Sequence, residues 1–270
     1  MSIRQYRPTS RDRRGMSTRQ SRILYSIFAT TLILQILYPL VNGGALRVAT
    51  VLIVYLAALT MLTHALFSYG MKYLLIYFFV TFSFALSIEE LGIRTGWPFG
   101  SYHYSPSLGF QIFDVPLVVP FAWIMMTHPI LLISRKISTH WTFLIGGLGL
   151  MIWDLFVDPQ MVAAGRWTWK IGGPRVPFEP AIPLSNAAGW FLGGMALIAV
   201  LHKLLPKERR KVGATALAVE LFLLWTLFSG VIGNVFFFDS PGVALVAGVP
   251  FLLLLIPYFF NTRLGRPDIL

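Results

Sequence analysis

Eight apolar stretches, at roughly 23–41, 48–69, 73–91, 112–133, 141–157, 182–202, 212–238 and 243–260, take up most of this chain of 270 residues. A bilayer's hydrocarbon core is about 30 Å thick, a span that about 20 apolar residues cross as a helix. In lipid every backbone N–H and C=O must find its partner within the protein, so runs of this length are read as helices. The expected fold class is therefore all-α, a polytopic integral membrane helical bundle of about eight transmembrane helices. Seven would result if one of the two shortest stretches, 141–157 or 243–260, were re-entrant or merged with a neighbour. Composition agrees: 56% hydrophobic and 12% charged residues, with a mean hydropathy of +0.69, leave too little polar surface for a soluble domain.

Lysine and arginine orient the bundle. With the N-terminus inside, 17 of the 22 basic residues fall on the cytoplasmic side, while Arg47, Arg94, Arg166, Lys170 and Arg175 fall outside. The positive-inside rule then places both termini in the cytoplasm and the chain in the cell membrane as a multi-pass protein. Residues 1–22, rich in arginine and broken by Pro8 and Gly15, read as a basic cytoplasmic N-terminal arm near anionic lipid, and residues 23–270 as a single transmembrane helical domain. Arg13-Arg14 has the form of a twin-arginine signal, but the apolar run behind it is too long and lacks a small-residue cleavage site. It is read as an anchor. The net charge of +11 follows from this topology, and no nucleic-acid partner is implied, since no basic folded face with base-reading groups is visible.

What is missing narrows the chemistry. Without cysteine there is no thiolate nucleophile, iron–sulfur centre or Cys-type zinc site. The five histidines, His64, His103, His128, His140 and His202, stand singly and read as packing or interface residues. No glycine-rich dinucleotide fingerprint follows a strand. Redox chemistry, a bound cofactor and a metal site are therefore not expected.

Six of the eleven acidic residues, Glu89, Glu90, Asp114, Asp154, Asp158 and Glu179, lie in one window at or near the ends of apolar segments. A charge near the bilayer centre costs about 2.5 kcal/mol or more, so acids there face a cavity, a partner or a substrate. The helix ending in Glu89-Glu90 runs into Gly92, Gly96, Pro98 and Gly100, which break it and let backbone approach a ligand. Trp97, Phe99, Tyr102 and Tyr104 in this loop supply either a stacking surface for an extended apolar substrate or an interfacial belt. Arg94 follows Glu90 by one turn, so an ion pair is the plain alternative for that glutamate. Asp154 and Asp158 share a helix face just before Pro159. Carboxylates so placed can share a proton or hold magnesium with a diphosphate, or else Asp158 caps a loop and Asp154 pairs with Arg166 or Arg175. Trp167 and Trp169 follow, and Pro183-Leu184-Ser185-Asn186 with Gly189-Trp190 opens the sixth helix, where Ser185 or Asn186 would cap it. All these elements fall at the outer end of the bundle, with Glu220, Asn234 and Asp239 as candidates to join them.

Taken jointly, the run Glu-x-Gly-x-x-Thr-Gly-x-Pro-Phe-Gly-x-Tyr-x-Tyr-x-x-x-Leu-Gly from Glu90 to Gly109, then Val115-Pro116, Pro120 with Trp123, Asp154-Leu155 with Asp158-Pro159, Trp167-x-Trp169 and the Pro183 to Trp190 segment resemble the carotenoid biosynthesis protein family. Its characterised members include carotenoid 1′,2′-hydratases of the CruF type. The likeness covers about residues 88–190 by motif, and departs from the family pattern at Glu179-Pro180-Ala181, Ala187 and Asp114. It implies a hydro-lyase that hydrates the terminal 1,2 double bond of an acyclic carotenoid end group by carboxyl acid–base catalysis, without a cofactor. The implied partners are a carotenoid or other isoprenoid lipid substrate, membrane lipid and other carotenoid-pathway enzymes. On this resemblance Asp154 and Glu90 form the acid–base pair, Asp158 and Asn186 assist, and Trp97, Phe99, Tyr102, Tyr104, Trp167, Trp169 and Trp190 bind substrate. The residues by themselves leave two other readings open: a magnesium-dependent membrane prenyltransferase built on Asp154 and Asp158, and a non-catalytic transporter or carotenoid-binding scaffold whose acids relay protons.

The charge asymmetry is testable because the chain has no native thiol. A cysteine introduced at Ser107 or Ala163 should react with impermeant reagents from the outer face of intact cells; labelling from the cytoplasmic face alone would invert the topology.

Overall fold

The computed structural model describes residues 15–170, 172–206 and 216–263 and is 76% helical. Its long helices are α1 (Thr18–Leu37), α2 (Gly43–Tyr69), α3 (Met71–Thr95), α4 (Val118–Ile137), α5 (Thr142–Ala163), α6 (Leu184–Leu204), α7 (Leu217–Phe236) and α8 (Val249–Arg263), the last entered through a π turn over Ala244–Gly248. All eight, counting that turn with α8, are long and apolar enough to cross a membrane. The protein is a polytopic membrane bundle. The basic residues at 1–14 and 207–211 lie outside the described residues. Within the segment read as an arm, α1 already begins at Thr18, because Ser17 and Gln20 cap it reciprocally: each backbone N–H donates to the other's side-chain oxygen, at 3.2 and 3.0 Å.

Short strands occupy the two longest connections. Between α3 and α4 lie β1 (Tyr102–Tyr104), β2 (Gln111–Ile112) and β3 (Val115–Pro116); between α5 and α6 lie β4 (Trp167–Trp169), β5 (Arg175–Val176) and β6 (Glu179–Pro183). β2 and β3 form a small hairpin where the hydropathy pattern, read as a span from 112, suggests helix. Phe113 takes a left-handed φ of 55° at its turn and Pro116 has no N–H to give a helix, so α4 starts only at Val118. The opposite departure occurs in α5, which runs through Pro159 to Ala163. Beside the proline, Asn234 Nδ2 on α7 donates to the Phe156 carbonyl at 3.1 Å and ties the two helices together.

α4 and α5 are the most enclosed spans, and α5 packs against α6 through glycine. A Cβ built on Gly147 would lie 2.5 Å from Met195 Cγ and 2.7 Å from the Phe191 carbonyl oxygen, and one on Gly194 would lie 3.1 Å from Gly147 Cα. Lipid offers no hydrophobic drive to join helices, so such backbone contact is what holds them together. Because α5 and α6 run antiparallel, two turns onward from Gly147 bring Asp154, and two turns back from Gly194 bring Asn186, to facing positions. Among the histidines, His64 on α2 and His128 on α4 are fully buried and joined, Nδ1 to Nε2, at 3.0 Å. Ser68 Oγ and Tyr73 OH complete that layer at 3.3 and 3.4 Å, in keeping with a packing role.

Overpacking a close contact of this kind costs about 1–3 kcal/mol. Gly147→Ala should therefore lower the thermal midpoint in detergent, whereas Gly172→Ala, where a Cβ meets nothing within 4 Å, should leave it unchanged.

Candidate active site

A cavity of about 390 Å³ opens into the bundle beneath the α3–α4 and α5–α6 loops. Its wall includes Glu89 from α3, Trp123 from α4, Trp153, Asp154 and Asp158 from α5, and Asn186 and Trp190 from α6. All of these are buried.

The two aspartates and the asparagine form one unit. Asn186 Nδ2 donates to Asp154 Oδ2 at 2.8 Å and also to Asp158 Oδ2, and Trp167 Nε1 donates to Asp158 Oδ1 at 3.1 Å. One amide nitrogen bridges the two carboxyl groups. Asn186 is thus not the cap of α6: Pro183 occupies that position without a side-chain bond, and Ser185 Oγ instead donates to the Phe99 carbonyl at 3.1 Å. Nor do the aspartates pair with arginine, since among the described residues the ion pair found is Arg94 with Glu90.

Glu89, one residue from the expected glutamate, supplies the third carboxyl group. Its Oε2 accepts from Tyr102 OH at 2.6 Å and Tyr104 OH at 2.8 Å, and its Oε1 accepts from Trp123 Nε1 at 2.9 Å. Burial, and after it the Glu89 charge, push both loop phenols far above the ordinary tyrosine range. They stay protonated and act as donors. Three donors converging on one carboxyl leave Glu89 presenting accepting oxygens to the cavity.

The aromatic ceiling comes from a two-stranded ribbon. β1 and β4 pair antiparallel, Tyr102 opposite Trp169 and Tyr104 opposite Trp167, so strand alternation turns all four rings to the cavity. His103 and Thr168, the residues between, face out and bond to each other, Oγ1 to Nε2, at 2.9 Å. Trp169 Nε1 is buried with no hydrogen-bond partner. Deeper in, Trp123 stacks on Trp190 at 4.1 Å and 12°, with Trp153 and Phe99 edging the same indole at 5.9 and 6.2 Å. Two motif glycines permit this closeness: a Cβ on Gly92 would lie 2.8 Å from Tyr102 OH, and one on Gly189 would lie 2.5 Å from the Phe99 ring.

Of the residues singled out from sequence, Asp154, Asp158, Asn186, Phe99, Tyr102, Tyr104, Trp167, Trp169 and Trp190 line this cavity. Glu90 and Trp97 do not. Glu90 faces the other side of α3, binding Arg94 and accepting from the Asp114 N–H at 3.4 Å, and Trp97 is 61% exposed at the loop surface. Glu220 sits in the first turn of α7 and accepts from Tyr258 OH at 2.7 Å, and Asp239 is exposed. The signal for Glu89 was present: Tyr73, Tyr77, Thr81, Ala85, Glu89 and Gly92 are the buried residues of α3 and recur every three or four positions, a single helix face. Trp123 and Trp153 also escaped assignment as cavity residues.

A family model described as carotenoid biosynthesis protein matches residues 48–257. The bisanhydrobacterioruberin hydratase of Haloarcula japonica is 32% identical over 122 residues, covering 43% of this chain and 40% of that protein. The chain thus aligns with less than half the length of that relative. No solved structure matches it.

The two adjacent glutamates should separate in stability. Glu89→Leu strands two hydroxyls and an indole N–H without their acceptor, at about 1–3 kcal/mol for each buried group. Glu90→Gln removes an exposed pair worth about 1 kcal/mol or less. Thermal unfolding in detergent should show a much larger loss for Glu89→Leu, and equal losses would contradict this geometry.

Proposed function

The chain belongs to the carotenoid biosynthesis protein family, and from that premise we propose that it is a hydro-lyase that adds water across the terminal 1,2 double bond of an acyclic carotenoid end group. The observation that carries the reading is the placement of an amide-bridged pair of aspartates and a glutamate held by three donors in one aromatic cavity within the membrane bundle. Hydration changes no oxidation state; it needs an acid, a base, a cation-tolerant surface and water.

Each part has a residue. Two buried carboxyl groups bridged by one amide hold one proton between them more readily than two charges. Asp154, with Asp158, delivers that proton to the less substituted alkene carbon. The π bond breaks, a C–H bond forms, and a tertiary cation remains at the neighbouring carbon. The indoles of Trp123, Trp153 and Trp190 line the cavity, and a ring face turned to the cation is worth about 2 kcal/mol when desolvated. Water forms the C–O bond, with the free N–H of Trp169 suited to hold its oxygen, and Glu89 accepts the proton it releases. The hydratase name of the Haloarcula relative supports this reaction type. A diphosphate–magnesium reading of the aspartates has less support, because the Asn186 amide donates to the oxygens that a cation would need.

Expression in a lycopene-producing host should yield pigment heavier by the mass of water, and purified protein should take that oxygen from isotopically labelled water under anaerobic conditions. Asp154→Asn should fold normally and lose about 10²–10⁴-fold in rate, the usual contribution of an acid–base group. A folded Asp154→Asn protein with half its activity would reject the assignment.

A further inference from the structure

A linear carotenoid is about as long as the hydrocarbon core is thick, about 30 Å, and a cavity of about 390 Å³ suits a drug-sized body. It encloses an end group, and the rest of such a chain must leave by an opening.

The cavity has one in the plane of the bilayer. α1 packs chiefly on α2, while α7 packs on α4, α5 and the π turn before α8. Between α1 and α7 the contacts are sparse. Phe28 meets Phe222 with ring centroids 6.3 Å apart, and Tyr38, just past α1, meets Phe238, just past α7, at 6.0 Å. From Phe28 to Tyr38 the helix rises about 15 Å, and within that interval one hydrogen bond joins the helices, from Trp225 Nε1 to Gln35 Oε1 at 2.7 Å. The cavity reaches this gap: Phe222, Trp225, Thr226, Ser229, Gly230 and Gly233 line it as one stripe of α7 at helical spacing. The rim is open to lipid, because Ile36 and Phe228 line the cavity and are still 55% and 57% exposed.

We infer that the gap between α1 and α7 is a lateral window through which the apolar chain of a long linear isoprenoid lies in the bilayer while its end group sits beside Glu89, Asp154 and Asp158. This rests on the substrate class proposed above. The Gln35–Trp225 hydrogen bond is the latch across the window, and a single neutral bond is readily exchanged.

The cysteine-free chain allows a direct test. In Gln35→Cys/Trp225→Cys, a short reducible bis-thiosulfonate tether should cut hydration of membrane-borne lycopene at least tenfold, and reduction should restore the rate of the untethered variant. Equal rates with and without the tether would overturn the window. Binding reads it independently of turnover: a benzophenone side chain at position 225, illuminated in lycopene-containing membranes, should capture the polyene. Capture of phospholipid acyl chains alone would also overturn the window. If the benzophenone variant captures lycopene while wild-type protein hydrates none, the reaction assignment fails while the window stands.

Discussion

The glycine contact between α5 and α6 is the constraint from which the site follows. Two helices that touch backbone to backbone have their register fixed, and that register sets Asn186 against both Asp154 and Asp158. Had these helices been separated by larger side chains, the amide would not reach, and two acids would face each other within the membrane without a donor between them. Small residues therefore do chemical as well as mechanical service here. The same logic applies where Gly92 and Gly189 admit the loop carrying Phe99 and Tyr102.

Two kinds of carboxyl environment result within one cavity. Asp154 and Asp158 share one amide donor from Asn186. Glu89 is met by three donors and keeps its oxygens for accepting. In the proposed reaction the first environment serves as the acid and the second as the base.

Much of this was legible in the sequence, and the parts that were not have identifiable causes. Span number follows from hydropathy because lipid leaves a long apolar run no alternative to helix. The hairpin at 111–116 was hidden because Ile112, Phe113 and Val115 run into the apolar helix that follows, although Gln111, Asp114 and Pro116 interrupt them. The aspartates were visible as neighbours one turn apart. Glu89 and Glu90 were harder to separate, because they are adjacent and the motif run begins at Glu90, although Arg94 one turn on offered that glutamate an ion pair. What decided between them was the buried stripe that runs back to Tyr73, a pattern of polar and small side chains in a helix that hydropathy reads as uniform. Asn186 read as a cap because its position in sequence is that of a cap; its partners lie 28 and 32 residues away.

The ribbon of β1 and β4 has a consequence for how the protein is made. Its central pair, His103 and Thr168, stand 65 residues apart, with two membrane spans between them. During synthesis the tyrosine strand emerges first and waits, its backbone groups satisfied by water, until α4 and α5 have been inserted and the tryptophan strand arrives. Before that moment Glu89 is already in the bilayer without the ceiling that its two tyrosines complete. The cavity is thus a product of late assembly, complete only once most of the chain has entered the membrane.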